Sequence, residues 1–484
     1  MGDGDGDGDI GGDGDECGDG DHGGDGDECG DGESGDGDES GDGESGGDGE
    51  SGDGHESMNA PVGIIGAGIV GIACALHLLR LGRRVIVIDR AGPAAGASQG
   101  NAGVLACCAM VPVPTPGVAR HAPRMLLDRD GPLFLRWPYL PRLLPWLMPY
   151  TANARRARAQ RIAAALAPLL ADSVSQHRAL AGDAPAARRI RDSDYLFVYP
   201  NRAAFAAERF AWDLRAAAGF AWEVIEGEAV REVEPALGAA HRFAVRLGGH
   251  ACIASPGDYA AELAGEVTRG GGELLRAEVV DIRPRGDGGD GDGVAILTRG
   301  GPAGGIEVAA AVIATGAWSG PLGRRFGANV PLESERGYHL HFRAATGAPR
   351  RPVMFAQRKA VATPMDGDLR LAGLVEFAGL RAPRRAAPLA MLRRAAQALL
   401  PNLRAASCDE WLGHRPATTD SLPLLGPSPR DARVFFACGH QHIGLTAAAK
   451  SGRLVARMIC GRAPGIDMSP YRPDRGPIVQ GATN

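Results

Sequence analysis

From Gly63 to Asp89 the chain reads "GIIGAGIVGIACALHLLRLGRRVIVID". A short apolar run, a glycine turn, an apolar stretch of helical length and a second apolar run ending in an acid predict strand, turn, helix, strand. Continuous apolar strands of this kind are buried on both faces, as in parallel sheets. Further on, residues 152–182 are Ala/Arg-rich with helical spacing, "DYLFVYP" (194–200) reads as a strand, and "NRAAFAAERFAWDLRAAAG" after it as a helix. "GDYAAELAGEVTRGGGELLRAEVVDI" predicts a helix, a glycine stop and one strand; "GDGGDGDG" (286–293) predicts a hairpin loop before "VAILTR"; "EVAAAVIATGAW" (307–318) predicts one buried strand. "GYHLHF", "PVMFAQRKAVATPM" and "LRLAGLVEF" alternate as antiparallel strands do. A helix over 386–400, a strand "RVFFACGH" and a helix "TAAAKSGRLVARMICG" close the pattern.

These elements predict an α/β fold in two parts. A Rossmann-like nucleotide domain, discontinuous in sequence, takes 58–115, 251–325 and 408–470. An α+β substrate domain on an antiparallel sheet takes 116–250 and 326–407. Gly66, Gly68 and Gly71 are spaced G-x-G-x-x-G between strand and helix: a tight turn, room for a pyrophosphate, and close helix–strand packing. Asp89, about 20 residues on, stands where an acid takes ribose hydroxyls, and the helix start at Ile69 and Val70 favours an anion.

Composition changes the picture at Met58. Residues 1–57 hold 23 Asp and Glu and no Lys or Arg, with almost nothing apolar; such a segment is expected to be disordered. The rest keeps 35 acids against 52 bases, about +17, so the overall −6 hides a basic body. Met58 is read as the natural start and the tail as translated repeat DNA; the alternatives are a regulatory acidic tail and a calcium β-roll, which lacks its apolar positions. The body's seven cysteines include no C-x-x-C, as expected of a reduced cytoplasmic protein, and Cys107–Cys108 reads as buried apolar packing rather than a redox or flavin-linking pair. "GPLFLRWPYLPRLLPWLMPY" (131–150), with five prolines and two arginines, does not span a membrane. Two readings stay open for it: a peripheral contact with the inner face of the plasma membrane through Trp137, Tyr139 and Trp146 beside Arg155, Arg156 and Arg158, or packing over the core or a substrate cavity. Metal binding at "GHQHIG" lacks an acid or Cys at ligand spacing, and nucleic-acid binding lacks a recognisable module; neither is expected.

Which dinucleotide is held is decided by separated segments: "SQGNAG", "ATGAW" (Thr315, Gly316) and "GHQHIGLT", where a turn precedes a helix at Gly444. With "GIIGAGIVG", "ESERGYHLHF", "TPMDGDLRLAGLVEFAGL" and "WLGHRPATTDSLPLLG", they make nearly all of 61–463 resemble the D-amino acid oxidase superfamily of FAD oxidoreductases, above all the bacterial D-amino acid dehydrogenases and their D-hydroxyproline-dehydrogenase-like branch. The resemblance implies extended, noncovalent FAD, with Gly100 near the place where some relatives carry a linking His. It implies that Gly66, Gly68 and Gly71 hold the pyrophosphate, with Ile69 and Val70 beside it, and that Asp89, next to Arg90, holds the adenosine ribose. Ser98, Asn101, Ala102 and Gly103 would line the flavin, Val279 would meet the adenine, and Gly439, His440, Ile443, Gly444, Leu445 and Thr446 would surround the ring's pyrimidine end.

The implied reaction is oxidative deamination of a D-amino acid: hydride from Cα to flavin N5, imine hydrolysis to a 2-oxo acid, and electrons passed to a quinone-type acceptor. Secondary amino acids (sarcosine-, proline- or pipecolate-like), or a flavin subunit needing partners, are the alternatives. Arginine's planar fork suits a carboxylate, and Arg415 in "GHRP" stands where the superfamily carries its anchor. In "ERGYHLHF", Tyr338 and His339 point to opposite faces of a strand, and Tyr338 is preferred for the site. His339 is its reserve, His440 and His442 are further candidates to approach flavin or substrate, and Arg336 is the next anchor candidate after Arg415; the segment also offers His341. No general base is required if the amine enters neutral or loses its proton to water.

Overall fold

A computed structural model describes residues 60–128, 130–285, 293–302 and 304–476. The expected acidic tail and most of the hairpin loop 286–293 lie outside them.

The opening run folds as the pattern dictates. Strand β1 (Val62–Ile65) is buried at every position, and the helix Ile69–Arg80 follows after the turn. A parallel sheet grows around β1: β2 (Val85–Asp89) and then β8 (Glu273–Arg276) on one side, β12 (Ala310–Ile313) and β19 (Val434–Cys438) on the other, with β18 (Leu424–Pro427) antiparallel at the edge. The helix Gly444–Ile459 packs on Ile69–Arg80 so closely that a Cβ on Gly452 would lie 2.6 Å from the Ala73 carbonyl carbon.

Two predicted strands are each split in two. After β8, the Ala277 N–H bonds to Asp89 O and the chain enters β9 (Glu278–Pro284) of a small antiparallel sheet with β10 (Val294–Arg299) and β11 (Ile306–Val308). After β11, the Ala309 N–H bonds to Pro61 O and the chain re-enters the parallel sheet as β12. Periodicity is blind to this because both halves are apolar; the corner is made by one small residue whose N–H the parallel sheet captures.

The second large sheet runs β17 (Ser407–Thr418), β13 (Leu332–Arg343), β16 (Leu369–Phe377), β15 (Ala360–Pro364), β14 (Val353–Phe355), β5 (Ile190–Tyr199), β7 (Phe243–Ile253), β3 (Val104–Leu105), with β4 (Leu133–Leu135) beside β16 and β6 (Glu223–Glu226) beside β7. It corrects the sequence-based division in two places. Residues 407–418 belong to this sheet, pairing with β13 over its whole length. The helices Arg156–Leu170 and Ser173–Ala181 bury Ile162, Leu166, Leu170 and Leu180 in the same core as the parallel sheet's helices. They cover an apolar helix layer that would otherwise face water. The predicted helix at 201–219 is broken into Arg202–Ala206 and Arg209–Ala217.

Candidate active site

Between the two sheets lies a cavity of about 1750 Å³, well above the roughly 300–1,000 Å³ of ordinary small-molecule sites. Its floor begins at the glycine turn. Gly66 has φ +110°, and a Cβ there would sit 2.5 Å from Ala314 O. A Cβ on Gly71 would come within 2.0 Å of Gly66 O, so both are demanded by packing within the protein. Gly68 is not: its nearest neighbour would be Ser98 Oγ at 3.4 Å, and the position faces the cavity. The space it leaves is of use only to something else. Asp89 braces the turn by accepting from the Ala67 N–H (2.9 Å) and from Ala91 and Gly92, while bordering the same cavity.

The small-residue loop forms the middle of the floor. Ser98 Oγ accepts from the Ile69 N–H at 2.9 Å, Asn101 Oδ1 accepts from Gly103, and Arg370 donates to Asn101 O at 2.6 Å. Trp411 covers Gly100: a Cβ there would lie 2.4 Å from the indole. At the far end, the helix Gly444–Ile459 begins at the cavity with no side-chain cap and no acid in its first turn, so its positive end is open to electron-rich atoms.

The roof is the face of β13 and β17 bearing Glu335, Gly337, Gly413 and Arg415. Glu335 and Arg415 are directly opposite each other in the ladder. The Arg415 guanidinium lies over Gly337, where a Cβ would be 2.4 Å from Cζ, and Nη1 donates to Leu374 O at 2.9 Å. That carbonyl is available because β16 bulges here: Leu374 has φ +52°, a left-handed conformation unusual for a branched residue. Burial lowers the Arg415 pKa, and the nearby Glu335 charge opposes the fall. Glu335 is 3% exposed, with no hydrogen bond or ion pair among the described residues. Burial raises its pKa to about 7, against Arg415 and with help from Glu333. Tyr150, from the helix Leu140–Asn153, closes this end; it stacks on Trp146, whose indole donates to Ala417 O.

The model of FAD dependent oxidoreductases matches residues 61–458. The chain belongs to this family. The D-amino-acid oxidase of Bradyrhizobium diazoefficiens is 36% identical over 421 residues, 86% of this chain and 98% of its own. D-amino acid dehydrogenase 2 of Ralstonia nicotianae is 31% identical over 443 residues, 85% and 99% of the two chains. Among solved structures, glycine oxidase from Geobacillus kaustophilus shares the fold with a TM-score of 0.63, over 86% of this chain and 99% of its own at 23% identity.

The residues of this FAD-dependent oxidoreductase fit its cofactor. Gly66, Gly68, Ile69 and Val70 border the cavity at its glycine-turn end and would hold the pyrophosphate, with Asp89 and Arg90 beside them. Arg90 lies 4.5 Å over the Trp318 ring. Ser98, Asn101 and Ala102 line the middle, Val279, Thr315 and Gly316 the nucleotide side, and His440 with Ile443 to Thr446 the far end. Gly71, Gly103 and Gly439 do not line it. Gly103 (φ +79°) has a virtual Cβ 2.6 Å from Ile253 O, and Gly439 (φ +81°) has one 2.8 Å from Thr418, so their role is to let the chain turn.

The structure turns the preferred side chain, Tyr338, and its reserve, His339, elsewhere. Tyr338 borders the cavity, but its hydroxyl donates to Glu376 at 2.6 Å, in a buried cluster with Arg336. His339 lies behind Trp411, stacked at 4.9 Å, with Nδ1 on Gly100 O, and does not line the cavity. Strand alternation says that one face is inside without saying which, and the chemistry of the Tyr338 hydroxyl, which suits a carboxylate or an amine, does not say that Glu376 takes it. His440 lines the wall, with Nε2 on Ser451 Oγ, and burial lowers its pKa to about 3. The residues sequence reasoning missed are Glu335, Gly337, Trp411 and Tyr150. Only the i−2, i pair Glu335–Gly337, on the face opposite Tyr338, carried a signal for them.

Of the three aromatics named for a bilayer contact in 131–150, two are engaged by the protein itself. Trp146 is buried and Tyr139 donates to Glu333; only Trp137 of the three is exposed. Among the described residues no helix is long and apolar enough to cross a membrane.

Proposed function

We propose that this flavoenzyme oxidatively deaminates D-amino acids, removing hydride from Cα and yielding an imine that water hydrolyses to a 2-oxo acid. The carrying observation is Arg415: half-buried, with one hydrogen bond to a carbonyl and no ion pair within 4 Å among the described residues, it faces the cavity beside the flavin-loop segments. Its planar fork suits a carboxylate. The names of the two relatives above support the substrate class. FAD, held noncovalently in this reading because Gly100 offers no linking side chain, supplies the hydride acceptor. The protein's own part is to fix the carboxylate at Arg415 and to exclude water beneath Tyr150 and Trp411.

A quinone-type acceptor at the cytoplasmic face of the membrane completes the proposal. It is supported by exposed Trp137 (62%) and Met148 (71%) on the segment that covers the cavity, and by the seven free cysteines among the described residues, which suit a reducing compartment. The test is anaerobic flavin bleaching by D-, L- and secondary amino acids, followed by reoxidation with oxygen or a soluble quinone. Bleaching by D-substrates and reoxidation by quinone are expected. Bleaching only by L- or secondary amino acids would refute the substrate class.

A further inference from the structure

We propose that Glu335 is the ammonium subsite of this cavity: its carboxylate holds the substrate's amino group while Arg415 holds the carboxylate, and it takes the amine's proton before Cα is oxidised. The inference rests on the amino-acid reading of the site.

A zwitterion carries its two charges on one carbon, and a receptor for it needs two opposite charges side by side. Directly opposed residues of an antiparallel pair place their Cβ atoms about 5 Å apart, and Glu335 and Arg415 are such a pair, on the cavity face. They do not satisfy each other. No ion pair within 4 Å joins them, and Arg415 spends its one hydrogen bond on Leu374 O. A buried carboxylate with no hydrogen bond is costly, and here it opens onto the space where the substrate sits. Its neighbour Glu333 differs: it accepts from the Tyr139 hydroxyl at 3.0 and 2.9 Å and from the Ser334 N–H.

The groups facing Glu335 set its proton affinity. Arg415 on β17 favours the ionised form, while Glu333 on its own strand and burial oppose it. From the helix Leu140–Asn153 comes Tyr150, whose own pKa is raised by burial and by Glu335. β16 contributes the apolar Phe377 as its ladder partner, while Glu376 is engaged with Tyr338 and Arg336. His442, near Arg415, is lowered to about 4 by burial and adds no charge at neutral pH. The balance leaves Glu335 near pH 7. In the step itself one N–H bond of R–NH3+ breaks, an O–H bond forms on Glu335, and no electrons change hands; the neutral amine is then ready for the oxidation of Cα, for which bound FAD would supply the hydride acceptor. Ionised Glu335 is required to hold the ammonium, so kcat/KM rises as pH rises through about 7.

The test compares wild-type holoenzyme with Glu335→Gln, which keeps shape and loses charge. D-alanine and D-phenylalanine are used as reductants. Propionate and 3-phenylpropionate, the same acids without the amine, are titrated through their perturbation of the flavin spectrum. We expect the half-saturating D-amino acid concentration to rise tenfold or more at pH 7, the limb near pH 7 to vanish, and the amine-free acids to bind equally or more tightly. Glu335→Asp should restore part of the limb. An unchanged limb and KM would overturn the subsite. So would equal losses for amine-free acids, which would mean that Glu335 acts only by placing Arg415. A wild type that neither D-amino acid reduces overturns this inference; if the whole amino-acid panel also fails, the functional reading falls with it.

Discussion

Arg415 depends on what lies under and beside it. A side chain on Gly337 would occupy the plane of its guanidinium, and the turned-out carbonyl of Leu374 fixes one edge. We expect Arg415→Ala to leave the flavin spectrum intact and to slow anaerobic reduction by a D-amino acid roughly 10²-fold or more, since misplacing the reacting carbon alone costs that much. Arg415→Lys should also be impaired, because charge without the fork loses bidentate geometry. Gly337→Ala tests the same anchor from below. The atom in its way is the far end of a flexible side chain, so the fold should persist while KM for the substrate rises; stopped-flow reduction with a melting curve separates the two. Unchanged KM in Gly337→Ala would mean that Arg415 works from another position.

Among the elements, the helix Leu140–Asn153 is held by its inward face. Leu143, Trp146, Tyr150 and Asn153 are buried, Trp146 donates to Ala417 O at 3.1 Å, and Asn153 donates to Thr419 O at 3.0 Å. Trp146→Ala removes a stacked ring and leaves a carbonyl unpaired. A loss on the order of 3–5 kcal/mol is the usual scale for a core aromatic, and we expect a lower Tm together with weaker substrate saturation, because Tyr150 loses its stacking partner. A fall in Tm with KM untouched would separate the helix from the site. A second joint lies at His177, whose ring meets the Tyr259 hydroxyl at 2.8 Å and Leu445 O at 2.7 Å, tying the helix Ser173–Ala181 to the first turn of the helix at the flavin end. Burial holds His177 at about 4, below its usual 6.5. Between those values the unfolded chain binds the extra proton, so stability is complete above 6.5 and falls as pH drops, by at most about 1.4 kcal/mol per unit for this group. Thermal melts from pH 7 to 5 should show a falling Tm, with a shallower slope in His177→Gln; identical slopes would assign the effect to other buried histidines such as His440.

For the whole molecule, the cavity exists because one chain crosses between two sheets several times, and its walls come from the glycine turn, the small-residue loop, β13, β17 and the last helix. The sequence by itself determined the parallel βαβ opening, the glycine turn with Asp89, the antiparallel middle and the closing strand and helix. Each is written in local periodicity or in residues whose conformation few others can adopt. It also singled out the arginine of "GHRP" as the proposed anchor, through motif rather than geometry. Only the tertiary structure decided that the Tyr338 hydroxyl is taken by Glu376 while Glu335 and Gly337 face the cavity; a period of two marks two faces alike until a partner sheet buries one. Only tertiary structure could place residues 407–418 in the large sheet, set the corners at Ala277 and Ala309, and turn Trp146 inward, because each depends on a hydrogen-bond partner tens to hundreds of residues away. The charge pair at the candidate site belongs to the same class: Glu335 and Arg415 are distant in sequence, and the β13–β17 register makes them neighbours.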